Sequence, residues 1–265
     1  MNSPKRLFNK KQIELQFDRA AARYDLFAHV QREMASDIFA VTETVDLDPA
    51  TRVLDLGCGT GELLSRLQSP LGPQLTGLDL SQKMLDVAST RCPTATFVHA
   101  DMESIPWDDQ CFDMVISNAS LQWCDLNAAV SEMFRVLATG GKVIVGTLGA
   151  GTLRQWVAAF DSSGSIKRVH PFHKSADIAA AFHNAGFECV ALTELVRTVS
   201  FECVKTMFRS VQRLGATNAM DSGNQPVTRK EYIALLDHFA AKLKHNGKLC
   251  LDYTCVQIEA TRPLQ

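Results

Sequence analysis

Gly57, Gly59 and Gly61 alternate directly after the apolar run Val53-Leu-Asp-Leu56, and Glu62-Leu-Leu-Ser-Arg-Leu67 follows them as a helical pattern. A strand, a glycine-rich turn and a helix N-terminus make a cradle for a ligand. Glycine lets the backbone approach that ligand closely, where any Cβ would stand in the way. Further on, Leu75-Thr-Gly-Leu-Asp79 reads as a second short strand ending in an acid. A carboxylate at that spacing can accept hydrogen bonds from both hydroxyls of a ribose.

This pair of motifs resembles motif I and the following acidic motif of the class I S-adenosylmethionine-dependent methyltransferases. The spacing G-x-G-x-G lacks the extra residue with which the G-x-G-x-x-G of dinucleotide enzymes seats a pyrophosphate. S-adenosylmethionine has no phosphate but carries a cationic ammonium and sulfonium. Asp55, inside the first strand, then reads as a loop organiser or an ammonium partner. The resemblance implies a cofactor set of Tyr24, Asp55, Gly57, Gly59, Gly61, Asp79, Leu80, Asp101, Met102 and Asn118. Asp101 and Met102 match the acid and apolar residue that grip adenine, Asn118 lies in the region beside the methionine moiety, and Tyr24 closes over that end as part of a lid. Other readings stand beside these: a glycine turn without ligand, Asp101 as a turn residue, and Trp123 as plain core.

Elements to position these groups follow from periodicity. Strands are expected near 52–56, 75–79, 95–99, 112–116 and 141–147, and helices near 61–68, 82–91 and 126–138. Ser81 is a suitable N-cap, and Gly140-Gly141 marks a turn. Residues 10 to 44 read as two helices, with Tyr24 on the first. After residue 150 the pattern predicts a helix over 175–185, strand over 187–199, helix over 202–214, a loop over 216–226, helix over 228–245 and a last strand over 249–260. Alternating strands and helices imply an α/β protein with a parallel sheet. The resemblance makes it a Rossmann-like, seven-stranded, mostly parallel sheet with helices on both faces. Residues 1–44 would be an N-terminal helical cap and 45–265 the methyltransferase domain. Within that domain, 45–150 is the cofactor-binding core and about 150–246 a helical insert on the substrate side.

Composition narrows the classes. The chain has 265 residues, is 46% hydrophobic and carries a formal net charge of -2. That balance argues against a general nucleic-acid or membrane-surface binder. No apolar run reaches the length of a membrane span, and the N-terminus lacks a signal-peptide core, so the expected location is cytoplasmic. Eight cysteines occur without a C-x-x-C pair, as free thiols do in a reducing compartment. His170-Pro-Phe-His173 reads as a loop, and no metal is expected. No Ser-His-Asp or Cys-His set is discernible. A carboxylate acceptor needs none, because it is already ionised at neutral pH and positioning can supply most of the acceleration.

Features outside motif I sharpen the resemblance to the malonyl-acyl carrier protein O-methyltransferases of biotin synthesis. They are Phe17-Asp-Arg-Ala-Ala-Ala-Arg-Tyr24-Asp25, Ala28-His-Val-Gln-Arg32, Ser117-Asn-Ala-Ser-Leu-Gln-Trp-Cys124, Gly146-Thr-Leu-Gly-Ala-Gly-Thr-Leu153 and Phe208-Arg-Ser-Val-Gln-Arg-Leu-Gly-Ala-Thr-Asn218. Leu251-Asp-Tyr253 fits except that a threonine is expected where Asp252 stands. The resemblance implies methylation of the free carboxylate of a malonyl thioester, carried on acyl carrier protein or coenzyme A. A carboxylate wants an arginine fork, so Arg209, at the start of the matching segment, is the first candidate to point inward to it, with a solvated helix arginine as the equal alternative. Trp123 would lie beside the acceptor, and Lys205 and Arg213 would face the carrier. Arg209 and Tyr24 are the candidate catalytic residues. Two competing readings are a small-molecule methyltransferase acting on a free acid or quinone precursor, and a non-catalytic S-adenosylmethionine-binding regulator.

Overall fold

The computed structural model describes residues 9–69, 72–162, 172–213, 229, 233, 236–239, 244–245 and 248–264. Strands β1 (Arg52–Leu56), β2 (Gln74–Asp79), β3 (Thr96–His99), β4 (Phe112–Asn118) and β5 (Leu137–Leu148) run parallel in the order β3-β2-β1-β4-β5. β8 (Lys248–Thr261) pairs antiparallel with β5, and β6 (Glu188–Phe201) pairs antiparallel with β8 at the sheet edge. A two-residue strand, β7 (Lys244–His245), pairs with β8 beside this seven-stranded path, so His245 ends in a strand and not in the expected helix.

The connecting elements are α3 (Glu62–Leu67), α4 (Gln82–Arg91), α5 (Leu126–Val136), α6 (Arg154–Ser162), α7 (Ser175–Ala185) and α8 (Val204–Arg213). Ser81 caps α4 by accepting from the Met84 N–H at 3.1 Å. Asp125 caps α5 in the same way at 2.9 Å from the Ala128 N–H. Between Phe112 and Met114 the pairing partner on β5 jumps from Leu137 to Lys142. Gly140, at φ +73°, absorbs that excursion, so the expected turn sits within the strand. Asp113 lies at the far end of β4 from the Gly57–Gly61 turn and accepts from Nε and Nη2, one edge of the Arg52 guanidinium, at 2.9 and 2.7 Å. The expected loop at 216–226 and most of the expected helix at 228–245 fall outside the described residues.

The cap is α1 (Lys10–Ala20), a 3-10 turn (Ala21–Leu26) and α2 (His29–Thr42). Tyr24 therefore sits on the 3-10 turn between the helices. Tightening to three residues per turn redirects its ring.

Helices α5 and α7 pack on one face of the sheet around Val130, Met133 and Phe182. α2 and α3 pack on the other around Ile38 and Leu64. A third cluster covers the carboxyl ends of the parallel strands, joining Ile13, Val30 and Met34 of the cap to Met207, Phe208 and Val211 of α8 and Leu251 and Tyr253 of β8. Cap and insert thus close a common chamber over the strand ends.

Beyond β5, residues 149–155 run alongside β8. The Gly149 N–H donates to the Thr254 carbonyl at 2.8 Å, and the Leu153 N–H to the Asp252 carbonyl at 2.7 Å. The buried Asp252 carboxylate closes this seam. It accepts from Arg154 Nε at 2.9 Å and Thr198 Oγ1 at 2.8 Å, while the Asp252 N–H donates to Gln155 Oε1 at 3.1 Å. Here the aspartate that replaces the expected threonine has a structural use. Although burial opposes its charge, the bonds from Thr198 and Arg154 hold its pKa below the ordinary carboxylate range. Asp252→Ala should cost about 1.5–3 kcal/mol at pH 7, the scale of hydrogen bonds to a charged group. Because the folded pKa is depressed, the difference from wild type should shrink as pH falls below about 4, which urea titrations at pH 7 and pH 3.5 would show.

Candidate cofactor and acceptor site

The strand ends frame a cavity of ≈ 810 Å³, mouth included, lined by Asp55, Gly57, Gly59, Asp79, Leu80, Asp101, Met102 and Asn118, with Lys10, Phe17, Tyr24 and Gln31 from the cap. Its size suits a nucleoside-sized ligand. Of the expected cofactor set, only Gly61 lies off the wall.

The three glycines serve different ends. A Cβ on Gly57 would strike Ser120 Oγ at 2.2 Å, and one on Gly61 would press on Ala88 at 3.2 Å, so those two serve packing. A Cβ on Gly59 would meet no protein atom within 4 Å. Its left-handed backbone, at φ +53°, favours glycine, and the space beside it opens onto the cavity.

Asp79 ties the cradle together. Its Oδ2 accepts from the Gly59 N–H and its Oδ1 from the Ser81 N–H, both at 2.8 Å. Burial nevertheless pushes its pKa up to about 6. Asp55 is 1% exposed, and burial, with Asp79 as the nearby like charge, raises it to about 8. Asp55 Oδ1, Gln31 Oε1 and Asn118 Oδ1 are buried without a hydrogen-bond partner. Three orphaned acceptors on one wall, two uneasy carboxylates and a vacant glycine approach fit a ligand bearing a hydroxylated ring and a cationic donor. Burial keeps the wall thiols neutral, with Cys124 pushed up to about 12 and Cys58 well above its usual value.

Polar ties hold the cap across this cavity. Lys10 Nζ contacts Asp101 Oδ1 at 3.0 Å and Glu103 Oε1 at 2.5 Å. Asp18 Oδ1 accepts from Ser81 Oγ at 2.6 Å and from the Lys83 N–H at 3.2 Å, at the start of α4. Asp25 accepts from Thr60 Oγ1 at 2.7 Å and pairs with Arg91. The Gln31 carbonyl accepts from Asn118 Nδ2 at 2.8 Å.

A second cavity adjoins the first. Both are lined by Phe17, Tyr24, Gln31, Ala119 and Trp123. The second adds Gln122, Leu148, Thr152, Leu153, Phe172, Val211 and Tyr253. Tyr24 and Trp123 thus stand on the wall between two chambers, and Phe17 packs edge-on against both rings.

The expected acceptor residues on α8 are placed differently. Met207, Phe208 and Val211 turn inward, so Arg209, one helical step from Phe208, is exposed and lines neither cavity. The reading of Arg209 as an inward fork is corrected by that helical phase. Lys205 is exposed on the same face, four residues earlier, and Arg213 follows one turn later. Among the described residues no lysine or arginine lines the second cavity, and no group of His, Cys, Asp or Glu side chains is arranged to hold a metal. No helix of the described residues is long and apolar enough to cross a membrane.

Sequence reasoning missed Lys10 and Gln31 as site residues. Gln31, a buried amide on an apolar helix face, carried a readable signal; Lys10 carried none.

Known proteins match this arrangement. A family model described as a methyltransferase domain matches residues 54–145. The malonyl-acyl carrier protein O-methyltransferase of Serratia marcescens is 34% identical over 82% of this chain and 83% of its own length. That of Herminiimonas arsenicoxydans is 32% identical over 96% of each. The chain belongs to the malonyl-acyl carrier protein O-methyltransferase family. Among solved structures, Haemonchus contortus phosphoethanolamine N-methyltransferase 2, with phosphomonomethylethanolamine and S-adenosylhomocysteine, has a TM-score of 0.54 at 21% identity, covering 86% of this chain and 52% of that one. Methyltransferases of this architecture share the Rossmann-like class I fold described above.

Both cradle acids have folded pKa values above the ordinary carboxylate range, so the ligand-free protein should lose stability as pH rises from about 4 to 8. A bound cation favours the ionised forms, so their pKa values fall and protons leave on binding. At pH 7, calorimetry with S-adenosylmethionine in buffers of different ionisation enthalpy should show net proton release, and affinity should strengthen from pH 6 to 8. Gly59→Val should abolish binding. Because Gly59 sits at φ +53°, the variant should also melt at a lower temperature from backbone strain. Gly59→Ala, with a smaller side chain at the same φ, should lose less affinity at a comparable loss of thermal stability.

Proposed function

We propose that this protein is an S-adenosylmethionine-dependent O-methyltransferase that esterifies the free carboxylate of a malonyl thioester on acyl carrier protein, giving the methyl ester that starts the biotin precursor chain. The observation that carries this reading is the pair of adjoining cavities with a common wall, an acid-lined cradle on one side and an uncharged chamber on the other. Similarity to the family over nearly the full length, insert and cap included, supports the acceptor class.

In this reading Asp79 receives the ribose hydroxyls, and Met102 and Asp101 flank the adenine. Lys10 engages Oδ1 of Asp101, which leaves Oδ2 for an exocyclic amino group. The unpartnered oxygens of Asp55, Gln31 and Asn118 face the ammonium end, and Tyr24 closes over it. Bound there, S-adenosylmethionine supplies a methyl group on a cationic sulfur whose departure as a neutral thioether takes no proton from a carboxylate acceptor. The chain's part is to orient the two reactants across the common wall and exclude water, worth up to about 7–11 kcal/mol of barrier.

Acyl carrier proteins are acidic. The exposed Lys205 and Arg209, with Arg213 one turn on, offer a basic face on α8 for docking, and coenzyme A is the alternative carrier. Incubation with methyl-labelled S-adenosylmethionine should transfer label to malonyl-loaded carrier protein and not to acetyl-loaded or unloaded carrier. Label on none of them would overturn the reading. Asp79→Ala should weaken S-adenosylhomocysteine binding about tenfold or more. Lys205→Glu combined with Arg209→Glu should raise KM for malonyl-carrier and flatten its salt dependence, with cofactor affinity unchanged, because rim charges act mainly on association.

A further inference from the structure

The second cavity is walled mostly by carbon, including Leu148, Leu153 and Val211. Of the polar residues belonging to it alone, two are fully committed. Gln122 donates from Nε2 to the Ala119 carbonyl at 2.6 Å and accepts from Thr147 Oγ1 at 2.9 Å. Thr152 Oγ1 accepts from the Thr254 N–H at 3.1 Å and donates to the Thr254 carbonyl at 3.3 Å. Tyr253 is the third. The residue is 3% exposed and lines the cavity, no described residue bonds its hydroxyl, and that oxygen is not one of the side-chain atoms sealed away without a partner, so it is open to the chamber. A phenylalanine would fill the same ring space, so the hydroxyl is a donor presented to the chamber and not one the packing requires.

We propose that the Tyr253 hydroxyl is the acceptor-side anchor of this enzyme, donating a hydrogen bond to the substrate carboxylate. This deepens the malonyl-thioester reading and rests on it. A neutral donor suits the chemistry. The carboxylate must meet a cationic sulfur, so the reaction partner itself supplies the opposing charge. A guanidinium at the same oxygens would compete with the sulfonium for them and draw off the electron density that forms the new bond. A phenol O–H steers one oxygen and leaves the other free to attack. Burial pushes the Tyr253 phenol well above its usual pKa, so it stays a donor throughout the working range. The Tyr24 hydroxyl, on the common wall and likewise without a partner among the described residues, is available to the same acceptor. Backbone pairing with β6, through Arg197, and the Asp252 seam on the opposite face of β8 keep Tyr253 in place.

Tyr253→Phe removes one oxygen and keeps the ring. Binding of malonyl-coenzyme A and of acetyl-coenzyme A, measured by calorimetry on the full chain saturated with S-adenosylhomocysteine, separates the possibilities. Wild type should prefer malonyl- over acetyl-coenzyme A, and the variant should lose that preference by roughly ten- to hundredfold. Its affinity for acetyl-coenzyme A and for S-adenosylhomocysteine should stay at the wild-type value, and KM for the malonyl substrate should rise more than kcat falls. An unchanged malonyl preference would overturn the proposal. So would an equal loss for both thioesters, which would put the hydroxyl on the thioester end they have in common or give it a purely structural role. Failure of the wild type itself to methylate any malonyl thioester would instead remove the reading on which the proposal rests.

Discussion

Two buried carboxylates with no lysine or arginine paired to them among the described residues set the terms for this molecule. Asp55 and Asp79 stand near the carboxyl ends of adjacent strands, and the two backbone N–H groups that Asp79 accepts only partly offset its burial. Burying charge without a counter-charge is costly, and pKa values shift until the charge is withheld. The cradle is therefore incomplete as a protein and complete only with a positively charged ligand. The glycine turn, the capped start of α4 and the orphaned amide oxygens are arranged around that deficit.

The acceptor side is built on the opposite principle. Its walls combine the cap, the segment after β4, the end of β5 with the residues that follow it, α8 and β8, and most of their apolar side chains meet in one cluster. Placing an uncharged chamber against a charged cradle lets the polarity change across a single layer of side chains, Phe17, Tyr24 and Trp123.

The cofactor half was legible because local chemistry dictates it. An apolar run, alternate glycines and a distal acid fix a strand, a turn and a ligand approach within a few residues of each other, and periodicity placed β1 to β4 and α3 to α5 within one or two positions. The acceptor half depends on long-range packing. Arg209 was read as an inward ligand from residue type alone, while helix phase, set by Met207, Phe208 and Val211 against β8, turned it outward. Tyr24 was placed on a helix that breaks into a 3-10 turn at Ala21. Lys10 could not be read at all, since its partners Asp101 and Glu103 lie over ninety residues away. Asp252 looked like a departure from pattern until Arg154 and Thr198 were seen to converge on it.

The cap is held by two kinds of force. Its part-exposed ion pairs are each worth about 0–1 kcal/mol, whereas burying a large side chain such as Ile13 contributes about 1.5–3 kcal/mol, so apolar contact does most of the closing and the ionic ties fix the register. A cap that swung away to admit cofactor would uncover Ile13, Phe17 and the apolar chamber beneath them at once. An exposed patch of that kind is a site of self-association. A ligand that binds only the closed form lowers the population of that sticky state by mass action. With such a cap, colloidal behaviour and occupancy would be linked: concentrated protein starved of cofactor would be the form that aggregates, and saturation with the methyl donor or its product would act as a solubility factor as well as a catalytic one.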